Sequence, residues 1–207
     1  MSDQTSTAFI LCGALAREVM AIIKRHEWQV DVYGIRAIDH MVPERIAPDV
    51  ARKFEAIRSR YQHILVIYGD CGTRGALDEF LSQHNLERIE GPHCYEMYGG
   101  PQFQEMMDEE PGTFFLTDFL VRGFRGTVWH GLGLDRYPEL LDEYFRNYKR
   151  LVYLNQMEDA ELIAKAGEIA ITLGLPLEIR HSGYGLLDQR LCDWMERHGL
   201  HHEQGSV

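Results

Sequence analysis

Short apolar runs and amphipathic stretches alternate along the whole of this 207-residue chain, and that rhythm leaves few folds open. A buried-type strand, a helical face and another buried-type strand make a βαβ unit, and successive units build a parallel sheet. Residues 8–11 read as such a strand, and 14–24 then set Leu15, Val19, Ile22 and Ile23 on one helical face, with Arg17 and Lys24 outside. A second strand spans 30–35. The helix at 49–61 turns Val50, Phe54 and Ile57 inward and has Pro48 at its start. The strand at 63–68 is the clearest central one, and a helix at 75–83 carries Leu77, Phe80 and Leu81 toward the sheet. A short segment at 88–91 leads to Cys94. The pattern then predicts a helix at 102–108, a strand at 114–116, a helix at 138–148 and a strand at 151–154. It closes with a helix at 159–173 capped by Gly174, a strand at 177–179 and a helix at 186–197. Residues 122–134 hold four glycines and read as a lid or active-site loop, and 199–207 as a frayed tail. The fold expected is α/β, Rossmann-like or flavodoxin-like: an open, mostly parallel sheet with helices on both faces, in a single domain over 1–207.

The formal net charge of −11 comes from acids spread along the chain, and no basic cluster interrupts them. Such a surface repels phosphate backbones, so no nucleic acid is expected as a partner. No apolar stretch approaches the ~20 residues that span a bilayer, so no membrane insertion is expected. Residues 1–7 are polar and lack the apolar core of a signal peptide, which points to a cytoplasmic protein. A small-molecule substrate is the expected partner, with a homo-oligomer left open.

Chemistry concentrates where the strands end. Cys12 follows Phe9-Ile10-Leu11, Cys71 follows Ile67-Tyr68-Gly69-Asp70, and Cys94 follows Gly91-Pro92-His93. In an open parallel sheet the carboxyl ends of the strands converge on one edge, where ligands bind. Three thiols distant in sequence are thereby expected to meet and to hold a metal, with His40, after the second strand, as fourth donor. His93 is a second candidate, adjacent to Cys94. Thiolates and imidazole suit zinc, and three cysteines also suit a [4Fe–4S] cluster with one iron left open to substrate. The bland alternative is that free cysteines serve as small buried hydrophobes. Core packing explains Cys192, on an amphipathic helix, and leaves it out of the site.

A thiol redox protein is the competing reading, because Cys12 and Cys71 precede helices, whose amino ends lower a thiol pKa. Neither lies in a CxxC pair. The loop Gly69-Asp70-Cys71-Gly72-Thr73-Arg74-Gly75 could bind an anion through Gly69, Gly72 and Thr73, though it is neither GxGxxG nor Walker A. Asp70 and Glu96 are the candidate general bases or ligand-orienting carboxylates, with turn capping and solvation as their plain alternatives. Tyr95, Tyr98 and the strand-end carboxylate Asp118 are further polar candidates. His201 and His202 read as solvated tail residues.

Taken together, Cys12-Gly13, His40 with Pro43, Tyr68-Gly69-Asp70-Cys71-Gly72, His93-Cys94 with Gly99-Gly100, and Pro111-Gly112-Thr113-Phe114-Phe115-Leu116-Thr117 resemble the DUF1638 family. The stretch 148–155 and the helix at 160–173 resemble the family's closing βα unit. The chain departs from the family pattern at Asp39-His40-Met41, where a His-Asn pair is usual, and at His93, where an Asp commonly precedes the cysteine. The resemblance implies a link to corrinoid-dependent methyltransferase systems and one-carbon metabolism. The chain is then either a metal-dependent enzyme or an accessory module that handles a metal or corrinoid for a methyltransferase partner.

Overall fold

The strand pattern closes two parallel sheets. The computed structural model describes residues 6–200, and contacts divide these into two compact units, 6–94 with 187–200, and 95–186. In the first unit, β1 (Thr7–Cys12) is buried along its whole length, as an unbroken apolar run flanked on both sides must be. It leads to α1 (Ala16–Arg25), whose Val19, Ile22 and Ile23 are buried. Next come β2 (Asp31–Ile35), α2 (Ile46–Ile57), β3 (His63–Ile67), α3 (Ala76–Gln83) and the two-residue β4 (Glu87–Arg88). The sheet order is β2-β1-β3-β4, and every pairing in it is parallel. β1 therefore sits between its two successors, with Leu11 opposite Gly34 on one side and Ile67 on the other.

The second unit continues from α4 (Cys94–Gly99) through α5 (Pro101–Glu109), β5 (Thr113–Thr117), α6 (Asp118–Phe124) and α7 (Leu141–Phe145). It closes with β6 (Arg150–Asn155), α8 (Ala160–Leu173) and β7 (Leu177–His181), as a parallel β5-β6-β7 sheet. Asp159 caps α8 through the Glu161 and Leu162 amides, and Gly174 ends it at φ +66°. Finally α9 (Leu186–Arg197) returns to the first unit, where Trp194 meets Phe9 edge-on with ring centroids 5.9 Å apart. Arg197 and His198 both bond Glu87, and Arg190 donates to the Glu90 carbonyl at 2.7 Å.

The α/β class holds, and three local expectations change. Residues 122–134 do not form an irregular lid: α6 runs on into a π-helical turn, Arg125–Trp129. Val121, Phe124 and Leu134 are buried there against β6 and α8, and that burial overrides the low helix propensity of Gly123 and Gly126. Cys94 opens a helix instead of ending a strand, because the strand before it has shrunk to Glu87–Arg88. Pro48 is the third residue of α2, which is entered from a 3-10 turn at Pro43–Arg45. His201, His202 and most of the expected tail lie outside the described residues. None of the described helices is long and apolar enough to cross a membrane.

Candidate functional site

In the first sheet β1 is followed by β2 on one side and β3 on the other, so the connections leave in opposite directions between β1 and β3. Such a switch point, outside the carboxyl ends of the strands, is the place where α/β proteins bind ligands. Cys12 is the last residue of β1, and the loop that holds Cys71 follows β3.

Glycines let four loops close on this edge. A Cβ on Gly69 would lie 2.7 Å from His93 Cα and 2.8 Å from both His93 N and Pro92 O, so only glycine allows 92–93 to cross here. Beside it, Cys71 N donates to Pro92 O at 2.8 Å, which fastens the segment entering Cys94 to the Cys71 loop. A Cβ on Gly72 would stand 3.3 Å from Pro43 Cγ, and one on Gly13 would stand 3.0 Å from Ile35 O. The loops bearing Cys12, His40, Cys71 and Cys94 thus belong to one neighbourhood. Their donor atoms are less tightly drawn. Among the described residues, a group of three His, Cys or carboxylate donors all within 4.8 Å of one another occurs at His26, Asp188 and Cys192 and not at this edge.

The edge also holds buried polar atoms, one of which lacks a partner. Tyr68 is fully buried, and its hydroxyl is paired with the Cys12 thiol; after burial itself, Cys12, Cys71 and Asp39 push its ionisation up. Asp39 is 1% exposed; Oδ1 accepts from Arg36 Nη2 at 3.0 Å, while the buried Oδ2 has no partner. Burial also pushes up the Cys12 thiol, and it pushes Cys71 to about 12, with Cys12 as the next cause. Unsatisfied buried polar groups are rare in native proteins and call for an explanation. A cation among these atoms would supply one, because each of them binds a positive charge better than it bears a negative one alone. His40 is exposed on this side; partial desolvation draws its imidazole below its ordinary value, which leaves the neutral, ligand-competent form at neutral pH.

Asp70 serves the loop. Its carboxylate accepts from Thr73 Oγ1 at 2.6 Å and from the Gly72 and Gly75 amides, both at 3.2 Å. These bonds, Thr73 foremost, hold its carboxyl below the usual range. The Thr73 and Ala76 amides are taken by Asp70 O and Thr73 O, so an anion at Gly69, Gly72 and Thr73 would have to displace the protein's own carboxylate. Asp70→Ala is expected to destabilise the first unit by about 1 kcal/mol, a modest figure because the side chain is half exposed. The folded carboxyl is more acidic than the unfolded one. Its contribution is therefore present above about pH 4 and is lost as pH falls through the folded value. Urea midpoints measured between neutral pH and pH 3 should show wild type and variant converging in acid.

Cys71 and Arg74, each followed by a glycine that is itself at positive φ, take φ values of +48° and +55°, strain that L-residues adopt at a cost of about 1 kcal/mol each. Such strain clusters at functional sites.

The other polar candidates belong to the second unit. Glu96 lies on α4, where its carbonyl accepts from Gly100 N at 2.8 Å. Tyr95 packs on Phe115 and Phe103, and Tyr98 is buried. Asp118 is fully buried at the carboxyl ends of its sheet; its Oδ1 accepts from Tyr153 Oη at 2.7 Å and Gln156 N at 3.0 Å, and Arg122 reaches Oδ2 at 3.3 Å. Asn155 joins the network, donating to Tyr153 Oη at 2.8 Å and accepting from His181 Nδ1 at 2.9 Å.

Cys192 corrects an expectation. It is not simply core: Sγ lies 3.5 Å from His26 Nε2 and 3.8 Å from Asp188 Oδ1. The signal available in the sequence was the i, i+4 spacing of Asp188 and Cys192 on one helix; His26, which ends α1, had none.

Parallel sheets, with Cys12 and the Cys71 loop beside the switch point of the first, define an α/β protein. The chain belongs to the family described as "Protein of unknown function (DUF1638)", which matches residues 35–191. His40, Cys71 and Cys94 fall inside the match and Cys12 before it. No curated protein and no solved structure matches the chain.

Proposed function

We propose that the strand edge at the β1–β3 switch point is a thiolate metal centre held by Cys12, Cys71 and Cys94, with His40 as a further donor. The observation that carries this reading is the buried, unpartnered Asp39 Oδ2, set with the buried Tyr68 hydroxyl beside the Cys12 and Cys71 thiols at the sheet's switch point. A single zinc ion draws its thiolates to within about 3.8 Å of one another, so zinc here requires the Cys71 and Cys94 loops to move inward. A [4Fe–4S] cluster, with thiolates on separate irons, accepts a wider spacing. Zinc would activate a thiol or water, and a cluster with an open iron would bind a hydroxy or carboxylate substrate as a Lewis acid. On the family resemblance, the setting is one-carbon, corrinoid-linked methyl metabolism.

A second reading is favoured by the rim. Ile38 and Met41, on either side of His40, are 48% and 50% exposed. Exposed apolar side chains beside a donor suit an accessory module that presents a metal or corrinoid to a methyltransferase partner.

Elemental analysis of protein purified without oxygen and without a metal-binding tag distinguishes zinc from iron with sulfide. Cys71→Gly is the informative variant, because glycine adopts the φ of +48° without strain and the fold should survive. We expect the variant to retain wild-type stability within about 1 kcal/mol and to lose the metal. Equal metal content in the two proteins would refute the assignment.

A further inference from the structure

The first unit carries a second set of donors, separate from the strand edge. His26 ends α1, and Asp188 and Cys192 stand one turn apart on α9. His26 Nε2 lies 2.9 Å from Asp188 Oδ1 and 3.5 Å from Cys192 Sγ, and the third side, Sγ to Oδ1, is 3.8 Å. With ordinary zinc bond lengths, a tetrahedral ion would set the corresponding edges at about 3.3, 3.5 and 3.5 Å. The three donors thus match those edges within about 0.4 Å before any ion draws them in.

The surroundings preorganise the triangle. Arg25 Nη1 holds Asp188 Oδ2 at 2.7 Å, which turns Oδ1 toward the other two donors. Trp28 stacks on the His26 ring, with centroids 4.8 Å apart and planes 15° from parallel, and so fixes where Nε2 points. Glu196 and Asp193 lie close enough, with Asp188, to raise the Cys192 thiol further after burial has raised it, so the field around Sγ is anionic despite Arg25. That field opposes a bare thiolate and attracts a cation. A Cys-His-Asp catalytic relay needs the two ring nitrogens to face different partners. Here Nε2 faces both Sγ and the carboxylate, which is the arrangement of ligands around one point. Side-chain exposures of 33% for His26 and 23% for Asp188 leave the point reachable from solvent.

We propose that His26 Nε2, Asp188 Oδ1 and Cys192 Sγ bind a divalent ion of the zinc class, with the fourth position open to water. Bound there, the ion staples α9 to the end of α1.

Cobalt(II) titration of the metal-depleted full chain tests this, because a cobalt–thiolate bond gives a near-ultraviolet charge-transfer band. Wild type is expected to bind one equivalent that Cys192→Ser lacks and that His26→Gln binds at least tenfold more weakly. Cys71→Gly should keep that equivalent, whereas an equivalent lost in Cys71→Gly and kept in Cys192→Ser belongs to the strand edge. The two sites therefore fail or stand separately. Zinc should also raise the melting temperature of wild type and not of Cys192→Ser. Identical cobalt stoichiometry and spectra in wild type and Cys192→Ser, or equal zinc shifts in their melting temperatures, would overturn the assignment.

Discussion

Asp118→Ala is expected to destabilise the second unit by about 4 kcal/mol, the magnitude seen when one member of a buried charged network is removed. The carboxylate is wholly inaccessible, and it is the acceptor for the Tyr153 hydroxyl and the Gln156 amide while Arg122 approaches its other oxygen. Alanine would leave the Tyr153 hydroxyl and the Gln156 amide buried without the oxygen that receives them. The Gln156 side chain answers by accepting from Asp118 N at 2.6 Å, so the ends of β5 and β6 are tied in both directions. Asn155 extends the tie to β7, through His181 and through its carbonyl, which accepts from Ser182 N at 3.0 Å. Asp118→Asn keeps one acceptor oxygen and should cost about half as much. Urea unfolding, with amide exchange followed on β6, measures both. A loss below about 1 kcal/mol for the alanine variant would show that packing alone orders these strand ends.

The second large effect falls on the first unit. Gly69→Ala is expected to cost about 3 kcal/mol, the upper range for forcing extra atoms into a packed interior. The atoms in the way are backbone atoms of Pro92 and His93, which cannot swing aside as a side-chain tip would. Relief requires the 92–93 segment to lift from the loop after β3, and that breaks the Cys71 N to Pro92 O bond. The same movement carries Cys94 away from Cys71. The substitution should therefore lower both the thermal midpoint and the metal content of the strand edge, without touching a thiol. A variant of normal stability with full metal content would show that the crossing is not what gathers the loops.

What the sequence disclosed depended on how local the cause was. The strand at 8–11 and the central strand at 63–68 are apolar runs that can only be buried, and both form with nearly the expected bounds. The helix ending at Gly174 announced that glycine as its cap, while Asp159, expected as its first residue, serves as its amino-terminal cap. Strand-end placement of Cys12 and Cys71 was legible for the same reason. Sheet membership was not: each βα repeat looks alike, and nothing local tells β5 to pair with β6 and not with β4. Residues 122–134 misled because glycine content speaks for the unfolded chain, whereas Phe124 and Leu134 are decided by what they pack on. His26 and Cys192 are brought within 3.5 Å by a helix that returns from the far end of the chain, and no spacing rule reaches across 166 residues.

That return has a consequence for how the molecule is made. The second unit is a continuous insertion, and the points where it leaves and re-enters adjoin: Gly185, at φ +53°, has no room for a Cβ against the Met97 and Tyr98 carbonyls. During synthesis the sheet of the first unit emerges early but must wait for α9 to cover Phe9, while every residue of the second unit has already left the ribosome. The inserted unit can close on itself as a finished loop. The first unit must instead leave Phe9 without its Trp194 cover until α9 arrives, so its packing is completed by the residues made after the whole inserted unit.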